Sequence, residues 1–90
     1  MTDSRWEDYL RQLREAARDV LSFTEGMSEA DFLADRRTQN AVVMSLIVIG
    51  EVAARAAERH SENLVNCPQI PWRNMRGMRN RIAHGYFDID

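Results

Sequence analysis

The 90-residue chain has no lysine, one cysteine, two prolines and four glycines. The single cysteine, Cys67, cannot form an intramolecular disulfide, which excludes a small scaffold built on disulfides, and no metal-ligand spacing includes it. Residues that break helices are scarce and strand-like runs are few. The sequence therefore predicts an all-α protein.

Long hydrophobic segments are also lacking. The most apolar stretch, Ala41–Gly50, is far shorter than the roughly 20 residues that cross a bilayer. The first residues, MTDSRWEDYL, are charged and polar, unlike a signal peptide. We therefore expect a cytoplasmic protein that does not enter a membrane.

The positive charge is unevenly distributed. All twelve basic residues are arginines, and the net charge of −2 argues against nonspecific binding of nucleic acid by the whole surface. However, residues 72–87 contain four arginines and one histidine and no carboxylate. This local excess of positive charge predicts a surface that attracts a phosphate group.

Apolar residues that recur every three or four positions predict helices in the first two thirds of the chain. A first helix is expected over about Ser4–Ser22, and it begins with the capping box Ser4-Arg5-Trp6-Glu7. A second cap of this kind, Ser28-Glu29-Ala30-Asp31, predicts a short helix that ends near Asp35. A third helix is expected from about Arg37 to Arg59; it is apolar on nearly every side, which is typical of a central helix.

The remainder of the chain predicts a loop and a last helix. His60–Ile70 is polar and predicts a loop, and Pro71 suits the first turn of a helix that ends at about His84. The sequence thus predicts one domain over residues 1–90, a small antiparallel bundle of three long helices and one short helix.

Two adjacent residues of the third helix depart from its apolar pattern. Gly50 lowers helix propensity by about 1 kcal/mol relative to alanine, which predicts a close contact with another helix. Glu51 is expected to be a buried acid that pairs with an arginine. A structural ion pair is favoured over a catalytic role for this carboxylate.

The last helix separates apolar from polar groups. On a helical wheel Met75, Met78 and Ile82 form a narrow apolar stripe that predicts core positions. The neighbouring arc carries five polar or basic residues, in the angular order Arg79, Arg76, Asn80, Arg73 and His84.

Gly85 is expected to end this helix as the residue after its C-cap, with Tyr86 just past the end and free to turn back. Arg79 and His84 lie about 140° apart on the wheel, so only the length of the guanidinium side chain can bring them together. A helix end rich in Arg and His is also favoured electrostatically without any function, so the pattern alone leaves both interpretations open.

The segment Arg79-Asn80-x-x-x-His84-x-Tyr86 resembles the R-x4-H-x-Y motif of HEPN-domain proteins. The stretches FLADRRTQNAV, IGEVAAR and IPWRNMRGMRNRIAHGYFDID resemble, in order and spacing, the HepT branch, the toxin halves of HepT–MntA toxin–antitoxin modules. The resemblance implies a small helical bundle that forms a homodimer or higher homo-oligomer. It also implies a metal-independent ribonuclease site without a cofactor, where the motifs of two subunits meet.

The resemblance assigns roles to individual residues. Arg79, Asn80 and His84 are the expected catalytic residues, because a histidine can move protons near physiological pH and a guanidinium can stabilise charge on a phosphorane-like transition state. Arg73, Arg76 and Tyr86 are expected to bind the RNA substrate. Tyr86 is also a candidate for AMPylation by a cognate MntA-like nucleotidyltransferase antitoxin.

Members of the family usually have a further helix after the segment YFDID, whereas this sequence ends at Asp90. We expect the chain to be short at its C-terminus relative to the family, which leaves part of the bundle surface uncovered. The alternative function is a noncatalytic HEPN dimer that binds RNA, a nucleotide or a nucleotidyltransferase partner.

Overall fold

A computed structural model describes the backbone of residues 4–87 and the side chains of residues 5–85. This part of the chain forms five α-helices and contains no strand, which confirms the all-α prediction. The helices are α1 (Ser4–Phe23), α2 (Glu29–Ala34), α3 (Arg36–Arg59), α4 (Ser61–Val65) and α5 (Trp72–Phe87).

The three long helices are antiparallel, with α3 in the middle. Near the start of α1, the ring of Tyr9 lies 5.5 Å from the ring of His60, just after the end of α3. At the opposite end Phe23, the last residue of α1, shares a groove with Ala41, close to the start of α3. The direction of α5 is again reversed, since Arg73 near its start lies in one groove with Arg59 at the end of α3.

The hydrophobic core lies where α1, α3 and α5 converge. Ala53 and Ala56 of α3 have no exposed surface, and the rings of Trp6 and Trp72 join α1 to α5 at a centroid distance of 5.8 Å. The buried members of this core are Tyr9, Leu13, Ala16, Ile49, Val52, Ala53, Ala56 and Trp72, with Met75 and Met78 partly buried against them.

The prediction that other helices surround α3 on nearly every side is wrong for both halves of the helix. In the second half one face, which includes Glu51 and Arg55, is exposed. In the first half Met44 is 61% exposed and Val48 is 37% exposed. The physical reason is the small number of helices, because α1 and α5 flank α3 on two sides and nothing in the described chain covers a third.

A side-chain cap begins α2 as predicted, and a further cap, which was not predicted from the sequence, begins α3. The amide of Asp31 donates to Ser28 Oγ at 3.0 Å, and the amide of Ser28 donates to Asp31 Oδ2 at 3.1 Å, which completes the capping box. Asp35 caps α3, since it accepts from the amide of Thr38 at 3.1 Å and from its hydroxyl at 2.8 Å. The hydroxyl bond of Thr38, followed by the amide bond, lowers the pKa of Asp35 below its usual 3.8.

Two predictions for the last third of the chain are wrong. His60–Ile70 is not only a loop, because it contains α4, whose amphipathic signal is too short to detect at five residues. The last helix does not stop before Gly85 but continues to Phe87, so Tyr86 lies inside the helix. Gly85 has no positive φ, and a single glycine costs a helix only about 1 kcal/mol. The bundle thus has three long and two short helices.

Trp72 fixes the start of α5. Its side chain is buried, and its indole N–H donates to the carbonyl of Cys67 at 3.2 Å. The amide of Met75 donates to the carbonyl of Pro71 at 3.0 Å, which closes the first turn of the helix. Both ends of the turn before α5 are therefore held, and the direction of α5 across α3 is defined.

Of the described helices, α3 alone is long and apolar enough to cross a bilayer, with a mean hydropathy of 1.5 over an 18-residue window. In the structure 39% of that window is buried against the other helices. The central helix of a bundle meets the same criteria of length and composition, and α3 has that position here.

Candidate phosphate-binding groove

Gly50 allows α5 to approach α3 at Arg79. A Cβ atom at position 50 would overlap the Cβ of Arg79 and would lie 3.0 Å from both its Cγ and the carbonyl oxygen of Met75. Only a glycine leaves room for this contact. The predicted close helix contact at Gly50 is confirmed, and the partner is the first residue of the R-x4-H-x-Y motif.

Glu51, the next residue, holds the head of the same arginine. Arg79 Nη1 donates to Glu51 Oε1 at 2.8 Å, while Nε and Nη2 donate to Asn80 Oδ1 at 3.1 and 2.7 Å. The predicted ion pair is confirmed, but the predicted burial of Glu51 is wrong. Its side chain is 49% exposed, against 26% for Arg79, because the carboxylate lies at the wall of an open groove.

This groove, of about 700 Å³, lies between α3 and α5. Charged side chains dominate its lining, with five arginines against two glutamates. The lining residues are Glu51, Ala54, Arg55, Glu58 and Arg59 from α3, and Arg73, Arg76, Gly77, Arg79 and Asn80 from α5. The groove therefore has an excess of positive charge in a protein whose net charge is negative.

Four of the six predicted site residues meet in this groove, namely Arg73, Arg76, Arg79 and Asn80. Three of them, Arg73, Arg76 and Asn80, follow one another along a face of α5 at spacings of three and four residues. Arg79 lies beside this row and turns to α3. The sequence thus identified the α5 wall of the groove.

His84 continues the same row one helical turn beyond Asn80, at a rise of about 6 Å. Its side chain is exposed in the last turn of α5, as predicted, but it does not line the groove. Within the described chain, no hydrogen bond or ion pair joins His84 to Arg79. The guanidinium does not reach the imidazole because Glu51 and Asn80 hold it against α3.

Tyr86 differs from its prediction in its backbone. Tyr86 was expected just past the end of the last helix, whereas its backbone is part of α5, seven residues after Arg79. Its side chain is outside the described part, so its predicted roles in substrate binding and modification stay predictions.

The residues that sequence reasoning missed are on α3. Arg55, Glu58 and Arg59 form the other wall of the groove, with Glu51 one turn before them. The only signal was their spacing, since positions 51, 55, 58 and 59 place charged residues on one face of an otherwise apolar helix. That signal shows a polar face but not that α5 faces it.

The chemistry available to this surface is phosphate binding with one acid–base group. Guanidinium groups bind phosphate through paired N–H donors. Within the described side chains, His84 supplies an imidazole next to the groove, a group that can accept or donate a proton. No three or more His, Cys, Asp or Glu residues in the described chain lie close enough together to hold a metal ion.

Residues 13–90 match the family described as "Ribonuclease HepT-like". The chain is 39% identical over 83 residues to "Putative RNase MJ0127" of Methanocaldococcus jannaschii, covering 91% of this chain and 65% of the relative. It is 38% identical over 89 residues to "Probable ribonuclease HepT" of Thermococcus cleftensis, covering 93% and 74%. The chain thus spans about two thirds to three quarters of the length of these relatives. No solved structure matches it.

Proposed function

Because the chain belongs to the HepT-like ribonuclease family, we propose that it is an endoribonuclease that cleaves RNA without a metal ion. One observation carries the proposal. Arg73, Arg76 and Asn80 line a positively charged groove, and His84 stands one turn further on the same face of α5. The arrangement provides several phosphate-binding groups and one exposed imidazole next to them.

In the proposed reaction the 2′-oxygen of a nucleotide attacks its own 3′-phosphate, and the 5′-oxygen of the next nucleotide leaves. A base accepts the 2′-OH proton, and an acid donates a proton to the leaving oxygen, so that a 2′,3′-cyclic phosphate and a 5′-hydroxyl form. His84 accepts or donates the proton. Arg79 stabilises the added negative charge on the phosphate, and Asn80 orients the guanidinium.

This reaction requires two proton-transfer groups, whereas each chain supplies one histidine beside the groove. We propose that a homodimer brings two copies of His84 to one site, so that one copy acts as the base and the other as the acid. Glu51 and Asn80 accept from three of the five N–H groups of Arg79, so one N–H on Nη1 and one on Nη2 remain to bind the phosphate.

Cleavage in the presence of EDTA tests the proposal. Wild-type protein is expected to cleave single-stranded RNA at an undiminished rate in the chelator. The His84→Ala variant is expected to lose at least 100-fold of the rate, the lower end of what general acid–base catalysis contributes, while its circular dichroism spectrum stays unchanged. Cleavage that survives in this variant, or that requires a divalent cation, would contradict the proposal.

We further propose that the protein acts in the cytoplasm as the toxin of a type VII HepT–MntA-like module, controlled by an MntA-like nucleotidyltransferase. In the modification step the phenol oxygen of Tyr86 attacks the α-phosphate of ATP. Pyrophosphate leaves and the phenol proton passes to a base. The bound AMP would place negative charge near Arg79 and exclude RNA. Mass spectrometry after coexpression tests this, and an unmodified Tyr86 with full neutralisation would contradict it.

A second candidate function is a noncatalytic HEPN dimer that binds RNA, a nucleotide or the nucleotidyltransferase. The ion pair between Arg79 and Glu51 supports it, because the carboxylate offsets the positive charge that would stabilise a transition state. In that case wild type and His84→Ala bind RNA equally and neither cleaves it.

A further inference from the structure

Arg55 and Arg59 form a pair on α3 that is separate from the R-x4-H-x-Y motif. They are four residues apart and therefore lie one above the other on one face of the helix. Both are exposed, and both line the groove opposite Arg73 and Arg76.

The side chains of both arginines are available to bind a ligand. Arg11 pairs with Asp8 and Glu15, and Arg79 pairs with Glu51. The side chains of Arg55 and Arg59 form no ion pair or hydrogen bond with any residue in the described chain, and the same is true of Arg14 and Arg18 on α1. Like charges at this spacing repel each other, and Glu51 and Glu58 on the same wall offset part of this repulsion. An anion bound between the two arginines reduces it further.

Their position also relates to the proposed cleavage site. Arg79 is held at Glu51, and the Cα atoms of Arg55 and Arg59 lie about 6 and 12 Å further along α3. A nucleic-acid strand advances about 3.4 Å per nucleotide in a stacked helix, so this length accommodates more than one nucleotide. A strand whose scissile phosphate lies at Arg79 can therefore place neighbouring phosphates against α3.

We propose that Arg55 and Arg59 form a second phosphate-binding subsite, which holds the backbone of single-stranded RNA beside the scissile phosphate. The inference rests on the proposed function for the identity of the ligand and extends it to α3. These arginines contact backbone phosphates, so they contribute affinity without sequence preference.

The test is the salt dependence of binding to a short 2′-O-methyl oligouridylate, which cannot be cleaved because its 2′-oxygen is blocked. Each phosphate contact to a single strand contributes about 0.7 to the slope of log K against log salt concentration. The double variant Arg55→Gln/Arg59→Gln is expected to show a slope shallower by about 1.4. It should also bind about tenfold more weakly at low salt, as for two modest surface contacts.

The matched control is Arg14→Gln/Arg18→Gln on α1. These two arginines are exposed, four residues apart and outside the groove, so this variant changes the net charge by the same amount. It is expected to keep the wild-type slope and nearly the wild-type affinity. Circular dichroism melts of both variants check that the fold is intact, which matters for Arg59 because it lies in the last turn of α3.

The outcomes separate the subsite from the ribonuclease. A wild-type slope and affinity in the α3 variant, an equal loss in the α1 control, or no binding of the probe by wild type would each overturn the subsite. If the α3 variant loses affinity as expected but wild type cleaves no RNA, the subsite stands and the ribonuclease proposal fails.

Discussion

Replacing Gly50 with alanine places a methyl group against the stem of Arg79, and its effect on stability can be worked out from the structure. The new Cβ would overlap Arg79 Cβ and would lie 3.0 Å from the carbonyl oxygen of Met75. These atoms belong to the helix itself rather than to the flexible end of a side chain, so α5 must move away from α3. Overpacking of this kind costs about 1–3 kcal/mol.

Alanine also has a higher helix propensity than glycine, so the same substitution adds about 1 kcal/mol to the free energy of unfolding. Gly77→Ala is the matched control, because a Cβ at position 77 would have no atom within 4 Å. This variant therefore has the higher helix propensity of alanine without overpacking. Gly77→Ala is therefore expected to stabilise the protein by up to about 1 kcal/mol, and Gly50→Ala to be less stable than this control by about 1–3 kcal/mol.

Urea denaturation followed by circular dichroism at equal protein concentrations measures both free energies of unfolding. For a domain of this size, 1 kcal/mol corresponds to roughly 4–8 °C in melting temperature. If Gly50→Ala stabilised the protein as much as Gly77→Ala, α5 would not be pressed against α3 at Arg79. The account of how the arginine is positioned would then be refuted.

Three further predictions follow from single contacts. Glu51→Gln is expected to lower the free energy of unfolding by less than about 1 kcal/mol, because the ion pair is partly exposed. The variant should also bind noncleavable RNA about fourfold more tightly, because it removes one negative charge about 5 Å from a phosphate in a water-like dielectric. Fluorescence anisotropy measures this affinity, and weaker binding would contradict the prediction. Asp35→Ala removes a carboxylate whose pKa in the folded protein is lowered by Thr38. The variant is therefore expected to have a lower melting temperature than wild type at any pH above 3.8, the pKa in the unfolded chain. This difference disappears as the pH falls through the lower pKa of the folded protein. A difference in melting temperature that grew with acid would be inconsistent with that cap. Trp72→Phe is expected to lose about 1–2 kcal/mol in urea denaturation, because the carbonyl of Cys67 loses its indole donor, and unchanged stability would mean that this bond does not hold α5.

Local signals in the sequence were sufficient for the features that depend on neighbouring residues. Ser28 with Asp31 identified the start of α2, and the apolar run between charged ends identified α3. Gly50 could be predicted as a contact point because glycine is otherwise unfavourable in the middle of a helix. The paired state of Glu51 could also be expected, since a carboxylate in an apolar helix requires a cation.

Features that depend on distance in space could not be predicted in this way. The exposure of Glu51 follows from the groove between α3 and α5, and the sequence does not contain the position of α5 relative to α3. Arg55 and Arg59 have a visible spacing, but their relation to Arg73 appears only once the two helices are packed. At Gly85 the local rule failed because the cost of one glycine is small compared with the hydrogen bonds of a continuing helix.

The most direct test of the central claim is the identity of the RNA ends that the purified wild-type protein leaves in EDTA. The account predicts 2′,3′-cyclic phosphate and 5′-hydroxyl ends, and no product from an RNA whose 2′-oxygens are methylated, because that oxygen is the nucleophile. Ends with a 5′-phosphate and a 3′-hydroxyl, or cleavage of the methylated strand, would mean that water attacks the phosphate, and would contradict the account.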